Sequence, residues 1–577
     1  MPEGLIALGV VGVVGLGSMG EGIATALARS GVEVIGVEVN QDVRERIARR
    51  TTGSTIVVSS AMADLRHANI VIEAVSEQAH LKVSVLREIV ATCPEHAIVV
   101  TTTSSISVPY LAIMSGRPDR VLGLRLFLPP PFSYSAEPVR APMTSQRAVD
   151  RIGELVIALG ATRATVTPTA RAVTTELVLG YLNRAAGYNI EGSSTCHDVD
   201  TAMRLGCGLP FGPFELLDLL GVDWTVRTLE RLYEHTGDAT FKPAAQLLKM
   251  TAEGRTGRTA SLGFYRYTSS GEQVAPESTA ALFEPAKEIA KIGIVGSGTM
   301  AVGIAEATAA ADVSTVLVAR SPTQVAAALS GIRASLDRAV RRGRLTACAR
   351  DTTLEHIVVT DEQAAVADCD LVIEAVVEDI SVKRSVFRAL DAIVKPEAVL
   401  ATCTSSLSVA ECASVTSRPS RVVGLHFFNP ATVMKLVEVV HTDETESDVL
   451  AALRALCALL GKTGVECTDK PGFIVNYLLL PYLNDAIRSL VRNDAVIEDV
   501  DDAVKSLLGY PCGPFALIDI IGTDVSLAIL RSLQAEFPGN PLQLSPALEQ
   551  LVTNGRLGRK VGQGFLEWKK PGTDSLK

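Results

Sequence analysis

Ile292-Gly-Ile-Val-Gly296-Ser-Gly298-Thr299-Met300-Ala301 decides the fold of this chain. A short apolar run ends in closely spaced glycines, opens a helix-like stretch, and is followed by a second apolar run, Val316-Leu-Val-Ala319. Glycine in such a place permits a tight turn and lets backbone N–H groups approach a pyrophosphate at a helix N-terminus. The same pattern stands earlier as Gly12-Val-Val-Gly15-Leu-Gly17-Ser-Met-Gly20, leading to Val34-Ile-Gly-Val-Glu38. One glycine fingerprint is weak evidence. Two at equivalent places, each between a strand-like run and a helix, predict two dinucleotide-binding units, with Gly296, Gly298, Thr299, Met300 and Ala301 expected on the cofactor in the second. The expected fold class is α/β: a Rossmann, doubly wound parallel sheet plus an all-α helical domain, the pair repeated twice in the chain.

The repetition extends beyond the glycines. Glu73-Ala-Val75 recurs as Glu374-Ala-Val376, Thr103-Ser-Ser105 as Thr404-Ser-Ser406, Gly212-Pro-Phe214 as Gly513-Pro-Phe515, and Gly263-Phe264 as Gly564-Phe565, always 301 positions apart. The glycine turns are only 281 apart, so the second copy carries 20 extra residues before Glu374. They fall in a helix-like stretch from Val325 to about Arg344 that holds Ser335 and Arg341-Arg342-Gly343-Arg344. The expected boundaries are 1–167 for a Rossmann-like unit and 168–267 for its helical domain. A linker rich in Ser, Gly, Glu, Ala and Pro follows at 268–287, then a second Rossmann unit at 288–467 and a second helical domain at 468–577.

Bulk composition narrows the function. At 577 residues the chain can hold several cores, and 47% hydrophobic residues suit a globular protein. A net charge of −10 argues against nucleic acid as a partner. The ten cysteines are scattered without a CxxC or a paired Cys/His spacing, so neither a metal site nor a disulfide framework is expected, and a cytoplasmic location fits. No apolar run reaches the length of about twenty residues that a membrane span needs. The apolar opening, Gly4 to Gly17, lacks a basic start and reads as a buried strand rather than a signal peptide.

The end of the second strand selects the cofactor. An acidic residue there accepts hydrogen bonds from a ribose 2′-hydroxyl and repels a 2′-phosphate. Glu38 fills the place in the first copy and predicts NAD. The second copy has Ala319 followed by Arg320, which favours NADP over NAD. A sharper difference lies downstream. Where the second copy reads Leu425-His426-Phe-Phe-Asn429-Pro430, the first reads Leu124-Arg125-Leu-Phe-Leu128-Pro129. Glu438 follows His426 by twelve residues. Oxidising a secondary alcohol requires a base for the hydroxyl proton. Imidazole suits that task, and a carboxylate partner orients it. A lone histidine is more often structural, so spacing alone leaves both readings open.

The motifs together settle more. Thr404-Ser405-Ser406, Gly424-Leu-His-Phe-Phe-Asn-Pro430, Met434-Lys-Leu-Val-Glu438, Pro471-Gly-Phe-Ile-Val-Asn476 and Gly513-Pro-Phe515 resemble the signature set of the L-3-hydroxyacyl-CoA (3-hydroxybutyryl-CoA) dehydrogenase family. The resemblance covers about Ala290 to Trp568 and, more weakly, the first half. It implies interconversion of a 3-hydroxyacyl and a 3-oxoacyl thioester with a nicotinamide cofactor. It also implies His426 as the acid/base and Glu438 as its orienting partner, with Ser405 and Asn476 on the substrate oxygen. Asn429, Glu378, Lys383 and Lys560 are implied on the cofactor side, and Ser335 and Arg342 on coenzyme A. The thioester is expected to be acyl-CoA, with an acyl-carrier-protein thioester as the alternative.

In the first copy, at the 301 offset, His426 becomes Arg125, Asn429 becomes Leu128, Asn476 becomes Thr175 and Lys560 becomes Thr259, while Ser104, Glu137, Glu77 and Lys82 persist. Arginine stays protonated and cannot serve as a base at neutral pH. The first copy is therefore expected to keep a nucleotide fold, through Gly15, Gly17, Gly20 and Glu38, without a proton-transfer centre. Members of the family commonly dimerise through their helical domains, so an intramolecular pseudo-dimer is expected, with further homo-oligomerisation left open. Two other readings remain. One is an inactive nucleotide-binding or structural pseudoenzyme, against which the set Ser405, His426, Asn429, Glu438 and Asn476 argues. The other is a hydroxyacid dehydrogenase with a catalytic lysine, against which the lysine-free stretch Thr167 to Asn183 argues.

Overall fold

Helices and strands alternate through both copies, and among the described residues the strands assemble into two sheets of eight. The computed structural model describes residues 8–104, 106–130, 135–163, 166–188, 194–268, 272–274, 288–536 and 542–569. Ser105, the first four residues of the apolar opening (4–7), and all of the expected linker except 268 and 272–274 lie outside that set.

Across its width the second sheet runs Ile357–Thr360, Ser314–Val318, Lys291–Val295, Leu371–Glu374, Val399–Thr402, Val422–Phe427, Leu436–His441 and Thr463–Thr468. The first six strands are parallel, as the alternation of strand and helix predicts. Leu436–His441 then pairs antiparallel with Val422–Phe427. That reversal is the one departure from the expected all-parallel sheet. It arises because the Asn429-Pro430 turn returns the chain directly, without a crossover helix. The first sheet repeats the order with Ile56–Ser59, Val34–Val37, Val11–Val14, Ile70–Glu73, Ile98–Thr101, Val121–Leu126, Ser135–Val139 and Thr162–Arg163. The central strands Val11–Val14, Ile70–Glu73, Leu371–Glu374 and Val399–Thr402 are buried throughout, which is why they read as continuous apolar runs.

The 20 extra residues form helix. Pro322–Arg341 spans 20 residues and Ala347–Glu355 follows it, where the first copy has only Gln41–Arg50. The repeated Gly-Pro-Phe and Gly-Phe motifs are explained by buried aspartates that gather backbone N–H groups, at a helix start in the first motif and in a bend in the second. Asp501 accepts the backbone N–H groups of Phe515 (2.9 Å) and Ala516 (3.0 Å), and a Cβ on Gly513 would stand 2.2 Å from its Cγ. Asp519 does the same for Phe565 and Leu566 behind Gly564.

The two helical domains pack on each other. Pro168–Gly187 of the first copy packs along Val475–Asn493 of the second, and one continuous apolar core takes residues from both. The halves also cross over. Helix Cys196–Cys207 of the first copy rests on strands Leu436–His441 and Thr463–Thr468 of the second, and Ile497–Leu508 of the second rests on Ser135–Val139 of the first. Each fully buried aliphatic side chain in such a core contributes about 1.5–3 kcal/mol. No helix of the described residues is long and apolar enough to cross a membrane.

Candidate active site

His426 and Glu438 face each other in register across the antiparallel strand pair. Opposed residues of such a pair project to the same face of the sheet, so a separation of twelve residues closes to 2.6 Å between Nδ1 and Glu438 Oε2. The second carboxylate oxygen accepts the backbone N–H groups of Ile474 (3.0 Å) and Val475 (2.9 Å). Those groups open the helix Val475–Asn493, where N–H groups lack intrahelical acceptors and favour negative charge. Glu438 is wholly buried and His426 is 8% exposed. The imidazole lies against Phe428 and Phe473, with ring centroids 4.6 and 5.6 Å away. Phe473 holds φ at 52°, a left-handed conformation that costs a non-glycine residue on the order of 1 kcal/mol or more. As a carboxylate only accepts, Nδ1 carries the hydrogen, and Nε2 is left to exchange a proton with a ligand.

Ser405 and Asn476 meet beside this pair. Asn476 Nδ2 donates to the Ser405 carbonyl (3.2 Å), and the Ser405 hydroxyl and N–H donate to Glu378 Oε1 at 3.2 and 2.9 Å. Burial pushes the Glu378 carboxyl up, but the Lys383 charge and the hydrogen bonds from Thr404 and Ser405 outweigh it and hold the group below the usual range. Lys383 corrects an expectation. It is fully buried, with Nζ 2.9 and 3.0 Å from the two oxygens of Glu374 and 3.4 Å from Glu378. It therefore positions Glu378 rather than lining the cofactor cleft.

The glycine turn is built for close approach. Gly296 has φ 138°, and a Cβ there would stand 2.4 Å from the Ala375 carbonyl oxygen. A Cβ on Gly298 would meet nothing within 4 Å, and no side chain caps the helix Thr299–Ala309 that follows. Open space before an uncapped helix N-terminus fits a dinucleotide pyrophosphate. Thr299, Met300, Asn429 and Arg320 are exposed or partly exposed around the turn and the strand ends. Ala301 is not. It is fully buried and packs against the turn, so its expected cofactor contact is replaced by a core role. Lys560 is held by Asp524 at 2.6 and 2.7 Å. Ser335 is half-buried and bonded to the buried Glu306, while Arg342 is exposed just beyond the helix Pro322–Arg341.

The sequence reading missed several members. Thr404 Oγ1 donates to Glu378 at 2.6 Å, and Phe428, Phe473 and the N–H groups of Ile474 and Val475 frame the dyad. Lys462, 9% exposed, donates to the carbonyls of Ala431 (2.6 Å) and Met434 (2.7 Å) and fastens the loop between the dyad strands. Alanine at the equivalent position, 161, was the available signal.

In the first copy Arg125 opposes Glu137 in the same register, with 4.0 Å between Nη1 and Oε2. Arg171 also bonds that carboxylate. Glu77, Ser104, Thr103 and Lys82 repeat the Glu378 cluster, with Ser104 N donating to Glu77 Oε1 at 3.0 Å. Gly17 likewise faces open space. The Glu38 carboxylate accepts the N–H of Leu16 in the turn (2.8 Å) and that of Asn40 (3.0 Å).

A family model for the 3-hydroxyacyl-CoA dehydrogenase NAD binding domain matches residues 10–55, 48–168 and 291–470, and one for the 3-hydroxyacyl-CoA dehydrogenase C-terminal domain matches 173–267 and 472–568. The chain belongs to the 3-hydroxyacyl-CoA dehydrogenase family. It carries the family's two-domain pattern twice, and the nucleotide domain implies a nicotinamide cofactor. The mitochondrial hydroxyacyl-coenzyme A dehydrogenase of Rattus norvegicus is 41% identical over 288 residues, 49% of this chain and 92% of its own length. A 3-hydroxybutyryl-CoA dehydrogenase of Mycobacterium tuberculosis is 42% identical over 279 residues, 48% of this chain and 98% of its own. Among solved structures, (S)-3-hydroxybutyryl-CoA dehydrogenase from Ralstonia eutropha is 36% identical, with 49% of this chain and all of that one covered at a TM-score of 0.48.

Proposed function

We propose that the second copy is a 3-hydroxyacyl-CoA dehydrogenase, interconverting 3-hydroxybutyryl-CoA and acetoacetyl-CoA, and that the first copy performs no catalysis. The observation that carries this reading is the dyad: His426 bonded to a carboxylate pinned by two helix N–H groups, against Arg125 and Arg171 on the same carboxylate in the first copy. Gly296, Gly298, Thr299 and Met300 hold the nucleotide, and Arg320 favours NADP(H) over NAD(H). When bound, the nicotinamide accepts or supplies the hydride at C3. During oxidation His426 Nε2 takes the hydroxyl proton, and Glu438 supports the imidazolium that forms. During reduction His426 begins as imidazolium and gives the proton to the oxygen at C3. Ser405 and Asn476 hold that oxygen. Arg342 and its neighbours Arg341 and Arg344, all exposed, supply positive charge for the phosphates of coenzyme A.

The test follows absorbance of NADPH and NADH separately with acetoacetyl-CoA, for the wild-type chain and His426→Ala. Turnover by the wild type and its loss in the variant are expected. Equal rates in both would remove His426 from the mechanism, and a clear NADH preference would overturn the reading of Arg320.

A further inference from the structure

Arg184 and Asp485 stand 301 positions apart, the offset of the repeat itself, yet Arg184 Nη2 donates to Asp485 Oδ2 at 2.7 Å. Tyr181 and Tyr482, also at the repeat offset, meet edge to face with ring centroids 6.1 Å apart. A residue touches its own equivalent only where the pseudo-twofold axis relating the two copies passes between them. Off the axis, contacts come in related pairs. The Ser489 hydroxyl donates to Glu176. Exchanging the copies turns that contact into Tyr188 against Tyr477, whose rings lie 5.2 Å apart. The backbone arrangement is thus symmetric, and so is the Tyr181–Tyr482 pair, while Arg184 and Asp485 on the axis and the contacts beside it are not.

We infer that the helical face of the second copy is specified for the first copy of the same chain and against another second copy. A symmetric pair of second copies sets Asp485 against Asp485 on the axis. Its side chain is only 13% exposed, and burial already raises the carboxyl against the counteracting charges of Arg184 and Arg488. Arg488 lies 3.3 Å from Asp485 but also serves Asp238 of the first copy at 2.8 Å. The symmetric pair also takes Glu176 from Arg492 and Asn493, which bond it at 2.7 and 3.3 Å. A symmetric pair of first copies sets Arg184 on Arg184. The mixed pair balances Glu176, Asp238 and Asp485 against Arg184, Arg488 and Arg492. Like charges facing each other in the wrong pairings are the repulsive element that specificity between similar partners requires. The first copy is then the resident partner of the second. Its helix Cys196–Cys207 stands at the dyad, since a Cβ on Gly206 would lie 2.9 Å from Leu436, 3.0 Å from Val475 and 3.5 Å from Phe428.

Point variants of the full chain test this. Arg184→Asp reproduces inside one molecule the axis of a second-copy pair, and Asp485→Arg that of a first-copy pair. Each is expected to lower the thermal unfolding midpoint by about 5 °C, and the combined exchange to recover most of the loss. Single variants that melt like the wild type, or an exchange no better than the two losses added, overturn the inference. Should the charged single variants fail to yield soluble protein, the Arg184→Gln and Asp485→Asn cycle decides. A double variant that loses clearly less than the sum supports the pairing, and strict additivity overturns it.

Discussion

Glu438→Gln keeps shape and volume while removing one charge, and the geometry fixes its consequence. The carboxylate accepts three hydrogen bonds, from His426 Nδ1 and from the N–H groups of Ile474 and Val475. A glutamine offers one oxygen. If that oxygen faces the helix N–H groups, the amide NH₂ meets Nδ1–H, and two donors collide unless the ring moves its hydrogen to Nε2. In that tautomer no lone pair faces the substrate, and the base for oxidation is gone. If the oxygen faces the imidazole, the NH₂ abuts two helix donors. Either way a charge-assisted bond worth about 1.5–3 kcal/mol is lost. In reduction that energy is lost from the support of the proton donor. Together with misorientation, kcat should fall by roughly 10²–10⁴ in both directions. KM should change little, because Glu438 touches His426 and not the substrate. Initial rates with acetoacetyl-CoA and with 3-hydroxybutyryl-CoA measure this, and a melting curve shows that the variant is folded. A folded variant within about three-fold of wild-type kcat would refute the role assigned to the dyad.

Other outcomes follow from the same geometry. Arg320→Ala should raise the KM for NADPH by about 10- to 100-fold, as expected for losing a charge-assisted contact to a 2′-phosphate, and leave that for NADH nearly unchanged. Gly298→Ala and Gly513→Ala should separate cofactor binding from folding. The first places a methyl in open space and should weaken only the cofactor, whereas the second drives it into Asp501 and should lower the melting point. Arg125→His should not restore turnover to His426→Ala, because Leu128 and Thr175 replace Asn429 and Asn476 and Arg171 still holds Glu137; measurable activity in the double variant would overturn the account of the first copy. Burial lifts Asp200 to about 7 and Asp501 to about 6, above the unfolded value of 3.8. A carboxyl with a raised folded pKa stabilises fully below the unfolded value and loses that contribution as pH rises through the folded one. Melting points should therefore fall between about pH 4 and 7, less steeply in Asp200→Asn.

Much of this was legible because glycine and charge leave strong local signals. The turns at Gly15 and Gly296 need conformations or clearances that a side chain denies, so they could be read as residues. His426 and Glu438 could be paired from motif resemblance, and the antiparallel reversal supplies the reason for their spacing. Lys383 was misread because a lysine near a cofactor motif does not announce that its ammonium is buried between Glu374 and Glu378. Ala301 was misread because the third place of the fingerprint serves helix packing here. The crossing of each helical half onto the other copy's sheet left no local trace, since it depends on which of two similar apolar faces meets which.

The difference between the copies lies in the start of a helix as much as in a histidine. In the second copy the chain turns through Gly472 and Phe473, both at positive φ, and the long helix begins only at Val475. The N–H groups of Ile474 and Val475 are therefore unspent and point at Glu438. In the first copy the corresponding helix begins at Pro168, so the equivalents of those two residues, Val173 and Thr174, lie inside it. Their N–H groups belong to the helix ladder, and Arg171 takes the carboxylate that they have left without donors. A carboxylate held by backbone N–H groups keeps an oxygen and a charge for an imidazole. One flanked by two guanidinium groups already has its charge paired. The proposed proton-transfer centre thus rests on a delayed helix start, and Phe473, held at φ 52°, lies in that turn against the imidazole.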